Sequence, residues 1–566
     1  MKIKRNFISE DIKIKSKDDI LPYLKDLKER TINSAEELLR WWTDKSETEA
    51  FLEEDMAWRY IKMTCDTENE HLAEQFNFFV SEIEPLVSEY SDLLDKKLIN
   101  CKFLNELDHE KYHIAIKKVK RSIELFRKEN IEIFSKLQQK EREFGAISGA
   151  MTVIYNNEEM TLQKAGNFLK DTDRTIRKEI FELIQKRRFD DHDKLNNLLS
   201  ELIVLRHQAA KNAGFENYRD YMHSALNRFD YTIDDCIMFH NSVKEEVMPI
   251  INEINKIRKE KLNYTVLMPY DTSVDPDLEP ALKPFSDGKE LIDKAIQVFS
   301  KIRPQYGEYL KTMKDNSYLD LDSRKGKAPG GYNYPLYESN IPFIFMNATG
   351  NQRDLETMMH EGGHAVHSFL SSNLELLDFK SLPSEVAELA SMSMELISSE
   401  FWNIFYSNEK DLKRAKRTHL EGVLSVLPWI AAIDKFQHQL YLNPNHNFEE
   451  RKMIWNSVAK EFDTHIVEWK GYEEYYSTAW QRQMHIFEVP FYYIEYGIAQ
   501  LGAVAVWRNF KKNPTKALDD YENALKLGYS VPIPEIYKTA DIEFNFSKEY
   551  IAELMNFVKN ELDKLN

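Results

Sequence analysis

The chain is poor in the residues that punctuate a fold: its 566 residues include 17 glycines and 18 prolines. Tight turns between strands need glycine and proline at fixed places. A protein made mostly of β-hairpins is therefore excluded, and a predominantly all-α one, rich in Leu, Glu and Lys, is expected. Cysteine is scarcer still. Cys65, Cys101 and Cys236 are far apart and odd in number, which speaks against a disulfide framework or a thiolate metal site and fits a reducing compartment. No apolar run follows the charged opening residues 1–7, so no signal peptide is expected. The longest apolar stretch, Val489 to Trp507, is interrupted by Glu495 and Gln500 and reads as a buried core helix, not a membrane span. Clustered cations are also missing. A net charge of −18 argues against a nucleic-acid surface. It describes a solvated acidic exterior, part of which is suited to line a cavity that favours basic peptides. The expected location is cytoplasmic, with no membrane partner; oligomeric state leaves no trace in the sequence.

What is present is helical periodicity. Residues 1 to about 190 read as successive amphipathic helices, with Ser34 and Glu37 forming a capping signature ahead of Ala35–Trp42. Gly214 breaks a long helical segment, and Asn217 restarts it. Four prolines between Met268 and Pro284 mark a loop. Strand-like residues stand out at Gly330–Tyr334 and Ile341–Met346, where Pro335 and Pro342 predict a hairpin at a sheet edge. An edge strand there is placed to pair with an extended peptide backbone. These features predict an N-terminal helical domain over 1–190 and a second domain over 191–566.

The rest of the chain is organised around His360-Glu361-Gly362-Gly363-His364. Residues four apart on a helix share a face, so His360 and His364 can aim their imidazoles at one cation. Two neutral imidazoles suit zinc, and Glu361 is placed to take a proton from a water the cation polarises. Asn351 or Thr349 is the expected N-cap, and Leu355, Met358, Gly362, Val366 and Phe369 the expected core face. Two consecutive glycines in a helix, each costing about 1 kcal/mol against alanine, require a compensating close approach.

A motif with three fixed positions arises by chance often enough that a third ligand is needed. Downstream, Pro383 stops the preceding segment, Ser384 can cap a new helix, and Glu385, Glu388, Met392 and Glu395 fall along one stripe among apolar residues. Carboxylates on such a stripe are costly to bury without a cation. Glu388 completes a His2Glu zinc set with one position open. Glu395 is placed to accept a hydrogen bond from a ligand imidazole. His367 is left a structural part, since the ligand set is complete without it. Such N/O sets also accept cobalt or manganese.

Together, the His360–His364 motif, the Pro383–Glu388 stretch and Pro342-Phe343-Ile344-Phe345 resemble the oligoendopeptidase F branch of the thimet-oligopeptidase-like zinc peptidases. The resemblance runs from about Thr161 onward, including Ala213–Tyr218 and Pro490–Tyr493; the first ~150 residues resemble the family only in helical character. It implies a clam-shell of helices whose deep channel admits short unstructured peptides, with one zinc at its floor and the N-terminal domain forming part of its wall. It also gives His485, Tyr492 and Tyr496 the part of oxyanion donors, with Tyr493 as an alternative. The sequence departs from the thimet-type pattern in carrying Pro490-Phe491-Tyr492 where that pattern has Gly-Gly-Tyr. The expected function is zinc-dependent endopeptidase action on short peptides. Release of C-terminal dipeptides and silent peptide binding are the competing readings; a glutamate between the histidines argues against the second.

Overall fold

The computed structural model describes residues 5–565. The chain is 70% helical, with one two-stranded and one three-stranded sheet among the described residues. It forms two compact units, each assembled from separated stretches. The first comprises residues 1–126, 283–412 and 502–544; the second comprises 127–282, 413–501 and 545–566. Residue 190, the expected domain boundary, falls inside the second unit.

In the first unit, the helix Ala35–Cys65 starts at Ser34, whose hydroxyl accepts from the Glu37 amide. Trp41 and Trp42 on this helix are fully buried and pack in one core cluster with Tyr112, Leu376 and Phe379. Farther along, Ala57 and Ile61 pack against Phe343 and Phe345. The N-terminal segment thus backs the small sheet of the same unit. That sheet has the order β3-β5-β4, from β3 (Leu319–Asp322), β4 (Tyr332–Tyr334) and β5 (Phe343–Ala348). The strand beginning at Phe343 is therefore central, parallel to β3 and antiparallel to β4. This corrects the expected edge position. Pro342 precedes β5 and Pro335 follows β4, so neither takes a ladder position where its missing N–H would matter. The terminal strand of the hairpin is β4.

A second correction lies in the second unit. Thr152–Tyr155 (β1) and Glu158–Thr161 (β2) form a hairpin inside the stretch expected to be helical. Its two-residue turn, Asn156-Asn157, has φ of 53° and 63°, the left-handed pair that a hairpin turn requires and asparagine tolerates.

The histidine helix, Gln352–Ser371, begins at Asn351, whose side chain accepts from the Asp354 amide while Asp354 reaches back to the Asn351 backbone. It is buried on more than the expected face, since Met359, Glu361 and Ala365 are also inside. The glutamate helix, Ser384–Ser398, is capped by Pro383, not Ser384; the Pro383 carbonyl accepts from the Val386 and Ala387 amides. Two glycines set how closely these helices pack. A Cβ at Gly363 would lie 2.6 Å from Ser391 Cα and 3.0 Å from the Ala390 carbonyl, and one at Gly362 would lie 2.4 Å from the Phe299 ring. Tyr521 and Tyr537 pin the glutamate helix by donating to the carbonyls of Ala390 (2.8 Å) and Glu385 (3.0 Å).

Because the neighbour at Gly363 is backbone and cannot rotate away, Gly363→Ala is expected to cost about 1–3 kcal/mol. Chemical denaturation of the purified variant checks this, and wild-type stability would show that the two helices separate at little cost.

Candidate metal centre

The approach of the two helices brings His360, His364 and Glu388 together, with one ligand atom from each within 4.8 Å of the others. Glu388 Oε2 lies 3.2 Å from His360 Nε2 and 3.7 Å from His364 Nε2. Glu388 is 5% exposed and also accepts from the Ser391 hydroxyl at 3.1 Å. On the outer side of His360, Nδ1 meets Glu395 Oε1 at 2.6 Å. That contact holds a proton on Nδ1 and aims the Nε2 side of the ring at Glu388.

The electrostatics follow from burial. Burial brings the His364 imidazole down to about 4 against the pull of Glu388, so this ring is neutral near pH 7. At His360 burial acts in the same sense, but hydrogen bonds to Glu388 and Glu395 outweigh it and hold the ring well above its ordinary value. Burial pushes the Glu361 carboxyl up to about 7; His360 opposes the shift and the Glu388 and Glu395 charges add to it. Two imidazole nitrogens and a buried carboxylate converging on one point form a donor set that fits a divalent transition metal. Glu385 is buried on the same helix but does not belong to the group. His367 lies a turn beyond His364, is 1% exposed, and is likewise outside it.

His485, Tyr492, Tyr493 and Tyr496 form a cluster of their own in the second unit. The His485 ring lies 5.9, 4.7 and 5.6 Å from those of Tyr492, Tyr493 and Tyr496. Two residues without a sequence signal orient it. The Trp429 indole donates to Gln483 Oε1 at 2.7 Å, and Gln483 Nε2 lies 2.6 Å from His485 Nδ1. An indole N–H can only donate, so it fixes the Gln483 oxygen toward Trp429 and the amide N–H2 toward His485. Nδ1 is then the acceptor, and His485 carries its proton on Nε2.

Buried arginines brace the backbone around this cluster. Arg206 bonds the Tyr441 hydroxyl and the carbonyls of Ile486 and Phe487. Arg228 bonds the Phe491 carbonyl at 2.6 Å and Glu495 at 2.8 Å, while the Phe491 amide donates to Gln437 Oε1 at 2.9 Å. Phe491 has φ of 68°. It holds, at a non-glycine residue, the left-handed conformation that glycine adopts without steric cost. That is where the thimet-type pattern has its second glycine.

A mainly helical fold presenting two histidines one turn apart, a glutamate between them and a carboxylate from the next helix is that of a metallopeptidase. Comparison with known proteins makes the assignment specific. Residues 167–556 match Peptidase family M3, and residues 11–126 match the Peptidase M3 N-terminal domain. The chain belongs to peptidase family M3, and oligoendopeptidase F homologues are among its relatives. An oligoendopeptidase F homolog of Borreliella burgdorferi is 25% identical over 486 residues, covering 84% of this chain and 78% of that protein. Oligopeptidase PepF of Bacillus subtilis is 22% identical, covering 72% of this chain and 60% of its own length. Among solved structures, PZ peptidase A with an inhibitor superposes with a TM-score of 0.90 at 25% identity over 96% of both chains. Oligoendopeptidase F from Enterococcus faecium shares the fold, with a TM-score of 0.65 at 17% identity over 97% of this chain and 96% of that one. No helix among the described residues is long and apolar enough to cross a membrane.

Glu388→Ala is expected to abolish metal binding at this centre, and Glu395→Ala to weaken it there by about 10–100-fold, both read by zinc titration against a competing chelator. Full occupancy of this centre in the Glu388 variant would move the third ligand to Glu385 or Glu395.

Proposed function

We propose that this peptidase is a zinc-dependent oligoendopeptidase that hydrolyses internal bonds of short, unstructured peptides. The convergence of His360, His364 and Glu388 on one point beside buried Glu361 carries the reading. Zinc held by those three side chains would supply Lewis acidity to the scissile carbonyl and to water. The protein's own part begins with Glu361, which accepts the proton of the attacking water and returns it to the leaving amine. Glu395 keeps the His360 proton on Nδ1 throughout.

By resemblance, His485 and a tyrosine of its cluster, Tyr492, Tyr496 or Tyr493, donate to the oxyanion of the tetrahedral intermediate. The Nε2–H tautomer set by Gln483 is the form of His485 that donates from Nε2. Backbone alignment of the peptide falls to the terminal strand β4 rather than to central β5, whose ladder is taken up on both sides. Asn333 on β4 donates to the Glu361 carbonyl at 3.2 Å, which ties that strand to the histidine helix. The three free cysteines support a cytoplasmic location.

Digestion of a mixed pool of short peptides, with and without a zinc chelator and read by mass spectrometry, tests the proposal. Internal cuts that vanish with chelator and return with zinc are expected. Ordered loss of C-terminal dipeptides would replace the endopeptidase reading, and no cleavage by zinc-loaded protein would make it a peptide binder. Glu361→Gln should retain zinc and lose about 10²–10⁴-fold in turnover; near-normal rates would remove Glu361 from proton transfer. Gln483→Leu, which frees the His485 tautomer, should lower kcat about tenfold with KM little changed. A change confined to KM would give the histidine a binding role instead.

A further inference from the structure

The second unit holds another group of metal-ligand type that the peptidase reading does not use. His240 comes from the helix Ile233–Glu246, and Asp434 and His438 come from the long helix Glu409–Leu442. Asp434 and His438 are four residues apart and share a helix face, the relation that also pairs His360 with His364. Asp434 Oδ2 lies 2.8 Å from His240 Nε2 and 3.1 Å from His438 Nε2. One ligand atom from each residue lies within 4.8 Å of the others, and all three residues are buried, at 2%, 0% and 7% exposed for His240, Asp434 and His438.

We propose that His240, Asp434 and His438 form a second, structural site for a divalent metal of zinc type. The donor chemistry is that of the first centre, with two imidazoles and one carboxylate, and the spacing is close to it: the corresponding separations at Glu388 are 3.2 and 3.7 Å. Ligands at zinc–donor distances of about 2.0–2.2 Å in a tetrahedron stand roughly 3.3 Å apart, so the two contacts at Asp434 Oδ2 need to open by only a few tenths of an ångström. Hydrogen bonds from both imidazoles to Oδ2 would account for the two nitrogens. They leave Asp434 Oδ1, the other carboxylate oxygen, buried with no hydrogen-bond partner, a costly arrangement for a charged group. A cation among the three side chains would engage both oxygens, Asp434 binding it as a bidentate carboxylate through Oδ1 and Oδ2. The place in the fold gives the site a purpose. The His438 ring packs on the Phe491 ring at 5.6 Å, and the adjacent Gln437 holds the Phe491 amide. A metal joining the two helices there would stiffen the support beneath the left-handed turn that leads into Tyr492, Tyr493 and Tyr496.

The test is a metal count on the full chain, produced in zinc-supplemented medium and freed of loose metal by gel filtration. Wild-type protein is expected to carry two zinc ions per chain, and the His360→Ala/His364→Ala variant, in which the buried trio is untouched, one. That remaining ion should resist brief chelation, because its ligands have almost no exposed surface, and its X-ray absorption spectrum should show two imidazole ligands. One zinc in the wild type and none in the double variant, even after unfolding and refolding with zinc, would overturn the proposal and leave the trio a hydrogen-bonded cluster. A remaining ion in an all-oxygen shell would overturn it as well. Adding His438→Ala to the double variant should remove the remaining ion, and its retention in folded protein would place it elsewhere.

Discussion

The contact between the histidine helix and the glutamate helix is the constraint on which the metal centre depends. Imidazoles on one helix and a carboxylate on the next meet only if the two backbones come nearer than ordinary side chains allow. Gly363 permits that approach to Ser391 and Ala390, and Gly362 admits the edge of Phe299 from a third helix. Each glycine weakens its helix locally; the packing and the anchors from Tyr521 and Tyr537 offset that loss. The carboxylates then arrive with their partners. Glu388 faces both histidines while Glu395, two turns on, faces the far nitrogen of His360. Backbone proximity, ligand geometry and tautomer choice are thus consequences of one contact.

The aromatic cluster of the second unit is fixed by other means. The turn at Pro490–Tyr492 that leads into it contains no glycine. Instead a phenylalanine occupies a left-handed conformation and is held there at its amide by Gln437 and at its carbonyl by Arg228. Strain of this kind persists where surrounding bonds over-determine it. Two buried guanidiniums, from Arg206 and Arg228, take up backbone carbonyls that the short helix around His485 and the turn after it leave unsatisfied within the segment. Polar groups do here what close helix packing does at the metal centre.

Much of the first centre was legible because its chemistry is local in sequence. The spacing of His360 and His364, the base between them and the stripe of Glu385, Glu388 and Glu395 all follow from one helical period, and side-chain type narrows the N-cap to Asn351 or Thr349, of which the fold uses Asn351. What periodicity does not carry is partnership. Phe343–Ala348 reads as a strand from its residues, but its central place depends on β3, a short segment that declares itself only by pairing in parallel with it. The Asn156-Asn157 turn was a local signal, overshadowed by the helical run on either side. Gln483 and Trp429 carry no motif, since their role lies in the direction of two hydrogen bonds. His240 stands 194 positions from Asp434, so nothing short of the folded backbone joins them.

The interleaving of the two units has a bearing on how the chain is made. His360, His364 and Glu388 belong to the unit whose last stretch is residues 502–544, and that stretch carries Tyr521 and Tyr537, which pin the glutamate helix. During synthesis the ligands therefore leave the ribosome well before the residues that lock them in register. The intervening segment, 413–501, belongs to the other unit, whose own closing piece begins at Asn545. Neither unit can be finished by its first segment alone, whereas a chain of consecutive domains completes each in turn as it emerges. The glutamate helix thus gains its anchors from Tyr521 and Tyr537 only once residues 502–544 have been made.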